Sequence, residues 1–152
     1  MSDVPAGWAI TGVCAAGKTT AARLLAARVG LALVEGDAVQ PEGDGPSEER
    51  YCRLAAASRS AVVEDVVLGR WLGYFARLAS PCRLVVLAPS ADVVAARDAG
   101  RVKSGYRTWS LDELDRALRD ETPRLGLWID NSALTPEETV DAILDRADEA
   151  RV

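Results

Sequence analysis

Short runs of apolar residues alternate along the chain with longer stretches in which apolar positions recur every three or four residues. The runs are Gly7–Gly12, Leu31–Val34, Ser60–Val63, Leu84–Leu87 and Leu125–Ile129. Each is too short for a buried helix and is bounded by glycine, proline or charge, so each is predicted to be a strand. The first predicted helix follows the first strand, with Ala21, Ala22, Leu24, Leu25 and Val29 on one broad face and Gly30 to end it. Ser47 caps a second helix that runs to Ser58, Arg70 to Leu78 forms a third, and Ser90 opens a fourth through Val93, Val94 and Ala95. Ser110 and Glu113 make a capping box ahead of Leu111, Leu114 and Leu118, and Pro123 closes that helix. Thr135-Pro136-Glu137-Glu138 is a second capping box, followed by Val140, Ile143, Leu144 and Ala147 at helical spacing. Strands alternating with helices, without repeats, predict one α/β domain over residues 1–152 with a parallel sheet covered on both faces.

One connection between these elements carries a motif. Gly12-Val13-Cys14-Ala15-Ala16-Gly17-Lys18-Thr19 fits G-x-x-x-x-G-K-[ST] at every fixed position, and it stands between the first strand and the first helix. In that setting the backbone N–H groups of the loop wrap phosphate oxygens, and the helix N-terminus adds partial positive charge. Lys18 would then reach the β- and γ-phosphates and the Thr19 hydroxyl would ligate Mg²⁺.

Composition narrows the possibilities. With 49% apolar and 27% charged residues the 152-residue chain is ordinary for a globular protein. Its net charge of −5 argues against a general nucleic-acid partner, which usually meets a basic face. Three cysteines without C-x-x-C spacing suggest neither a disulfide framework nor a zinc site, and the absence of histidine excludes histidine-based triads. Met1 to Pro5 lacks the basic and apolar regions of a secretory leader, and no apolar run approaches a membrane span. The expectation is a soluble cytoplasmic protein with neither nucleic acid nor membrane as partner.

Further candidates lie at the predicted strand ends, where open parallel sheets bind their ligands. Asp37, after the second strand, could accept a proton from a substrate hydroxyl, or could simply cap the following turn. Glu64-Asp65 closes the third strand as a metal-side acid pair would, and strand alternation lets only one face the metal; Asp65 is the expected one. The segment from Arg97 to Arg107 holds Arg97, Arg101, Lys103 and Arg107 around Gly100 and Gly105, and predicts a cationic lid with Arg97 and Arg101 on phosphate. Arg50, Arg53 and Arg70 read as surface arginines, with contact to an acceptor as the alternative. Asn131-Ser132-Ala133 would lie beside a nucleotide base, and without an N-K-x-D sequence adenine is expected over guanine. Cys14, beside a helix N-terminus, is a candidate reactive thiol that nucleotide would protect.

The loop with its Lys18-Thr19-Thr20 ending, the acid after strand two and the stretch from Leu127 to Val140 resemble the small P-loop kinases of the adenylate-kinase-like group. Chloramphenicol phosphotransferase-like proteins and the gluconate and shikimate kinases are the nearest types. The resemblance implies a three-layer P-loop NTPase fold with strand order 2-3-1-4-5, an arginine-bearing lid near residues 97–107, ATP as donor with Mg²⁺, and Asp37 in the position of the base. It also implies transfer to a hydroxyl of a small molecule such as an antibiotic, as in resistance, or a sugar-like metabolite. A nucleoside or nucleotide kinase, and an ATP-binding resistance or regulatory module without catalysis, are the alternatives. The histidine expected soon after Glu35-Gly36-Asp37 in a gluconate kinase is absent.

Overall fold

The computed structural model describes residues 6–13, 15–39, 46–99 and 110–152. Five parallel strands form one sheet in the order β2-β3-β1-β4-β5. They are β1 Trp8–Gly12, β2 Ala32–Glu35, β3 Ala61–Glu64, β4 Arg83–Leu87 and β5 Leu127–Ile129. The order is the one expected. β1 lies between β3 and β4, with Ile10 level with Glu64 on one side and Val85 on the other. Because helices cover both faces, side chains on both faces of the central strands are buried, and Ile10, Val62, Val85 and Val86 have essentially no exposure.

Among the described residues the α-helices are α1 Lys18–Val29, α2 Gly36–Val39, α3 Glu48–Ala57, α4 Arg70–Ala79, α5 Ala91–Ala99, α6 Leu111–Arg116 and α7 Pro136–Asp145. From β1 the chain moves leftward to β2, and every later crossover moves rightward. Right-handed crossovers therefore set α1 on one face and α3 to α6 on the other. Consistently, α1 packs with α7, and α3 packs with α4. The predicted caps form: Ser47 accepts from Arg50 N–H, Ser110 from Glu113 N–H, and Thr135 and Glu138 close a reciprocal box.

Three details depart from the sequence reading. A one-turn helix, α2, follows β2 directly and carries Asp37. The α5 helix continues to Ala99, so Arg97 is helical rather than part of a loop. The helix α6 runs on as a π-helical turn over Ala117–Glu121, and β5 begins only at Leu127 because Gly126 is left-handed at φ 74°. The remainder of the expected lid, including Arg101, Lys103 and Arg107, lies outside the described residues, as does Cys14.

Candidate active site

The loop between β1 and α1 is shaped by left-handed backbone. Ala15 stands at φ 63° and Gly17 at φ 95°, and Ala16 N–H closes onto Val13 O at 3.2 Å. A side chain at Gly17 would be strained and would approach the Asn131 amide nitrogen at 3.4 Å. Gly17 is also the N-cap of α1 and offers no side chain to the first-turn N–H groups, and that turn holds no acid. The uncapped donors and the helix dipole make this terminus suited to an anion. Lys18 Nζ donates to Val13 O at 3.2 Å, so the ammonium already lies over the loop it is expected to serve.

Thr19 connects the loop to β3. Its hydroxyl donates to Oε2 of Glu64 at 3.3 Å. Glu64 is 8% exposed, and burial pushes its carboxyl above the usual range, opposed chiefly by the charge of Lys18. Asp65, the acid expected on the metal side, turns instead to Arg50: Nε donates to Oδ2 at 2.7 Å and an Nη donates to Oδ1 at 2.8 Å. Strand alternation separates the two acids, as anticipated, but it assigns the loop side to Glu64.

Asp37 stands on α2 just past the end of β2, with its side chain open to solvent. Its Oδ1 accepts from Arg50 at 3.1 Å. Arg50 was expected on the surface, yet it is 6% exposed. Its hydrogen bonds to Asp65, and then to Asp37, outweigh the burial and hold the guanidinium pKa above its ordinary range. Gly36 permits this packing, because a Cβ there would overlap the Asp65 carboxylate. The other two arginines do stay outside: Arg53 pairs with Glu49 one turn away and Arg70 stacks on the Trp71 ring.

A cleft of about 300 Å³ opens beside the loop, lined among others by Gly17, Thr20, Arg97, Asn131, Leu134 and Pro136. Arg97 reaches Ala16 O at 3.4 Å and Asn131 O at 3.5 Å, bringing α5, the phosphate loop and the β5–α7 connection together. Asn131 is 4% exposed; its amide nitrogen donates to Ala16 O at 3.0 Å, while Oδ1 has no partner among the described residues. Next to it Asp130 accepts from both the side chain and the backbone of Ser132, which hold its carboxyl below the usual range. Ser132 Oγ in turn accepts Ser90 N–H at 2.8 Å, tying the β4–α5 and β5–α7 connections. The expected base-side position of Asn131 and the expected cation Arg97 therefore share one cleft with Gly17 and Thr20.

Two candidates named in the sequence take different places in the structure. Of the Glu64-Asp65 pair, nothing in a strand buried on both faces tells which acid faces the loop. Arg50 carried a usable signal: Arg50, Leu54 and Ser58 are spaced at i, i+4 and i+8, the stripe that α3 buries.

No family model matches the chain, and no curated protein matches it. Solved structures do. A gluconokinase from Sinorhizobium meliloti superposes with a TM-score of 0.72 at 21% identity, covering 97% of this chain and 96% of that one. Shikimate kinase from Aquifex aeolicus gives 0.64 at 18% identity, covering 90% and 92%. The APS kinase of Mycobacterium tuberculosis, solved with AMPPNP and APS, gives 0.63 at 17% identity, covering 93% and 97%. The chain has the fold of the small P-loop kinases, and it resembles the gluconate and shikimate kinases in strand order and layout. Among the described residues no helix is long and apolar enough to cross a membrane.

Proposed function

We propose that this protein is an ATP-dependent phosphotransferase that moves the γ-phosphoryl group to a hydroxyl of a small molecule. The observation that carries the reading is the convergence at one sheet edge of the Lys18-bearing loop, the Thr19–Glu64 pair and the exposed Asp37. The likeness of fold to small-molecule kinases supports it, as does the presence of AMPPNP in one of them.

The residues divide the work as phosphoryl transfer requires. The loop from Gly12 to Gly17 and the first turn of α1 hold the phosphates through N–H groups. Lys18 leaves the carbonyl of Val13 and neutralises charge on the β- and γ-oxygens. Arg97, with Thr20, Asn131 and Pro136, lines the cleft for the base, and Oδ1 of Asn131, which has no partner among the described residues, fits a donor such as the exocyclic amine of adenine. Thr19 and Glu64 are the pair that would hold Mg²⁺, a hydroxyl and a carboxylate being the hard oxygen donors it prefers. When bound there, the ion neutralises charge on the transferring phosphoryl group. Asp37 takes the proton from the acceptor hydroxyl as its oxygen attacks. Arg101 would add a further cation from the segment after α5.

A screen with γ-labelled ATP against antibiotics, sugars, sugar acids and nucleosides tests the proposal. The expected outcome is a labelled product with at least one hydroxyl compound, dependent on Mg²⁺. Tight ATP binding with no labelled product from any class would favour a nucleotide-binding module instead. The same screen separates an antibiotic acceptor from a nucleoside or nucleotide.

A further inference from the structure

Among the described residues Arg50 is the best-buried cation near the acceptor edge, and its guanidinium is already gripped from inside the chain. Asp65 engages it through two hydrogen bonds of 2.7 and 2.8 Å, the two-pronged geometry in which a guanidinium holds a carboxylate. The same group reaches Asp37 at 3.1 Å. Side-chain exposure is 7% for Arg50 and 10% for Asp65, against 98% for Asp37. An arriving molecule therefore meets the negative member of the cluster, while the positive one lies behind it with a partner in place. Among the described residues two carboxylates face this one guanidinium, a formal charge of −1. Arg70 and Arg77 line a separate cleft on α3 and α4, where Glu48 accompanies them.

We infer that the Arg50–Asp65 pair selects against anionic acceptors, so that the hydroxyl compound handled beside Asp37 carries neither carboxylate nor phosphate. This rests on the reading of Asp37 as the acceptor-side base. An unpaired arginine at this place would be a natural fork for a carboxylate. Here an acceptor carboxylate seeking the Nε–Nη2 fork would have to displace Asp65, leaving a buried acid without its partner, and would meet the like charge of Asp37 on the way. A neutral polyol meets neither obstacle. Asp65 is thus a specificity residue that works by exclusion.

The test uses acceptor pairs that differ mainly in charge, D-glucitol with D-gluconate and D-glucose with D-glucuronate. Each is measured on the wild type and on Asp65→Asn. Turnover with γ-labelled ATP gives one ratio, and calorimetric binding to the AMPPNP-loaded protein gives a second that needs no chemistry. The wild type should favour the neutral member by at least about tenfold, and Asp65→Asn should raise affinity for the acid by about tenfold. Retained AMPPNP binding and a cooperative melt show that the variant is folded; if it is not, the wild-type ratios decide alone. A wild-type preference for either acid, an unchanged ratio in folded Asp65→Asn, or no binding of any of the four compounds would overturn the inference. Failure of the kinase reading looks different: none of the four is phosphorylated, and the binding ratio still reports the charge preference.

Discussion

The Thr19 hydroxyl donates to Oε2 of Glu64 at 3.3 Å, joining the first turn of α1 to the last residue of β3. The contact places a buried carboxylate behind the phosphate loop. Burial pushes the Glu64 carboxyl up, and the charge of Lys18 offsets only part of that. The stability that follows from a raised carboxyl is fully present below the ordinary glutamate range of about 4.3 and is lost as pH climbs through the raised value. Glu64→Gln should therefore raise the melting temperature of the ligand-free protein at pH 8, by about 2–4 °C if the change is about 1 kcal/mol. The gain should shrink towards pH 4. Paired melts at the two pH values check this, and the same variant should lose about 100-fold in Mg²⁺-dependent transfer.

Lys18 has one hydrogen bond within the described structure, to Val13 O, and its charge also offsets part of the burial of Glu64, so its removal costs the fold modestly. Lys18→Ala is expected to melt within about 1 kcal/mol of the wild type. Phosphoryl transfer should fall by about 10³-fold, since the charge it supplies acts where negative charge develops. A variant that keeps transfer activity places the donor phosphates elsewhere.

Asp37→Asn separates binding from chemistry. The asparagine Oδ1 can still accept from Arg50, and Asp37 is not among the residues lining the cleft proposed for the nucleotide. ATP affinity measured by calorimetry should stay within about twofold while kcat falls by about 10²–10⁴-fold. Full turnover on the true acceptor would remove Asp37 from the role of base.

Asn131 holds the Ala16 carbonyl with its amide nitrogen at 3.0 Å and sits opposite Gly17. Asn131→Ala deletes that bond and leaves the carbonyl less well satisfied in a buried setting. Stability should fall by about 1–2 kcal/mol, and ATP should bind about tenfold more weakly if Oδ1 meets the base. Urea unfolding and calorimetry report the two effects independently.

The cysteines should differ sharply in reactivity. Cys52 is exposed, whereas Cys82 is buried and its thiol is pushed up to about 11. Alkylation followed by mass spectrometry should mark Cys52 first and reach Cys82 only when the chain unfolds. Cys14 should react more slowly with Mg-ATP present. Equal rates with and without nucleotide would mean that the thiol faces away from the phosphates.

Much of the fold could be read in order along the chain, because its signals are local. Apolar runs bounded by glycine and charge mark all five strands, the capping box at Thr135 forms in full, and Ser110 caps its helix through Glu113 N–H without the return bond from Glu113 to the Ser110 backbone. The loop from Gly12 to Thr19 was readable for the same reason, since its strand, glycines and helix are contiguous. The one-turn helix at Asp37 and the extension of α5 past Arg97 were not, because both continue or begin helix without a cap or stop residue.

What the sequence determined by itself is therefore the layered α/β architecture and the strand-loop-helix unit from Trp8 to Val29. What only the tertiary structure decided is which charged groups face one another: Glu64 towards Thr19, and Asp65 with Asp37 around a buried Arg50. Local spacing specifies secondary structure and a contiguous loop. The partner of a buried charge depends on which elements the sheet order brings together, and Arg50 meets Asp65 across fifteen residues of chain only because α3 packs over the end of β3.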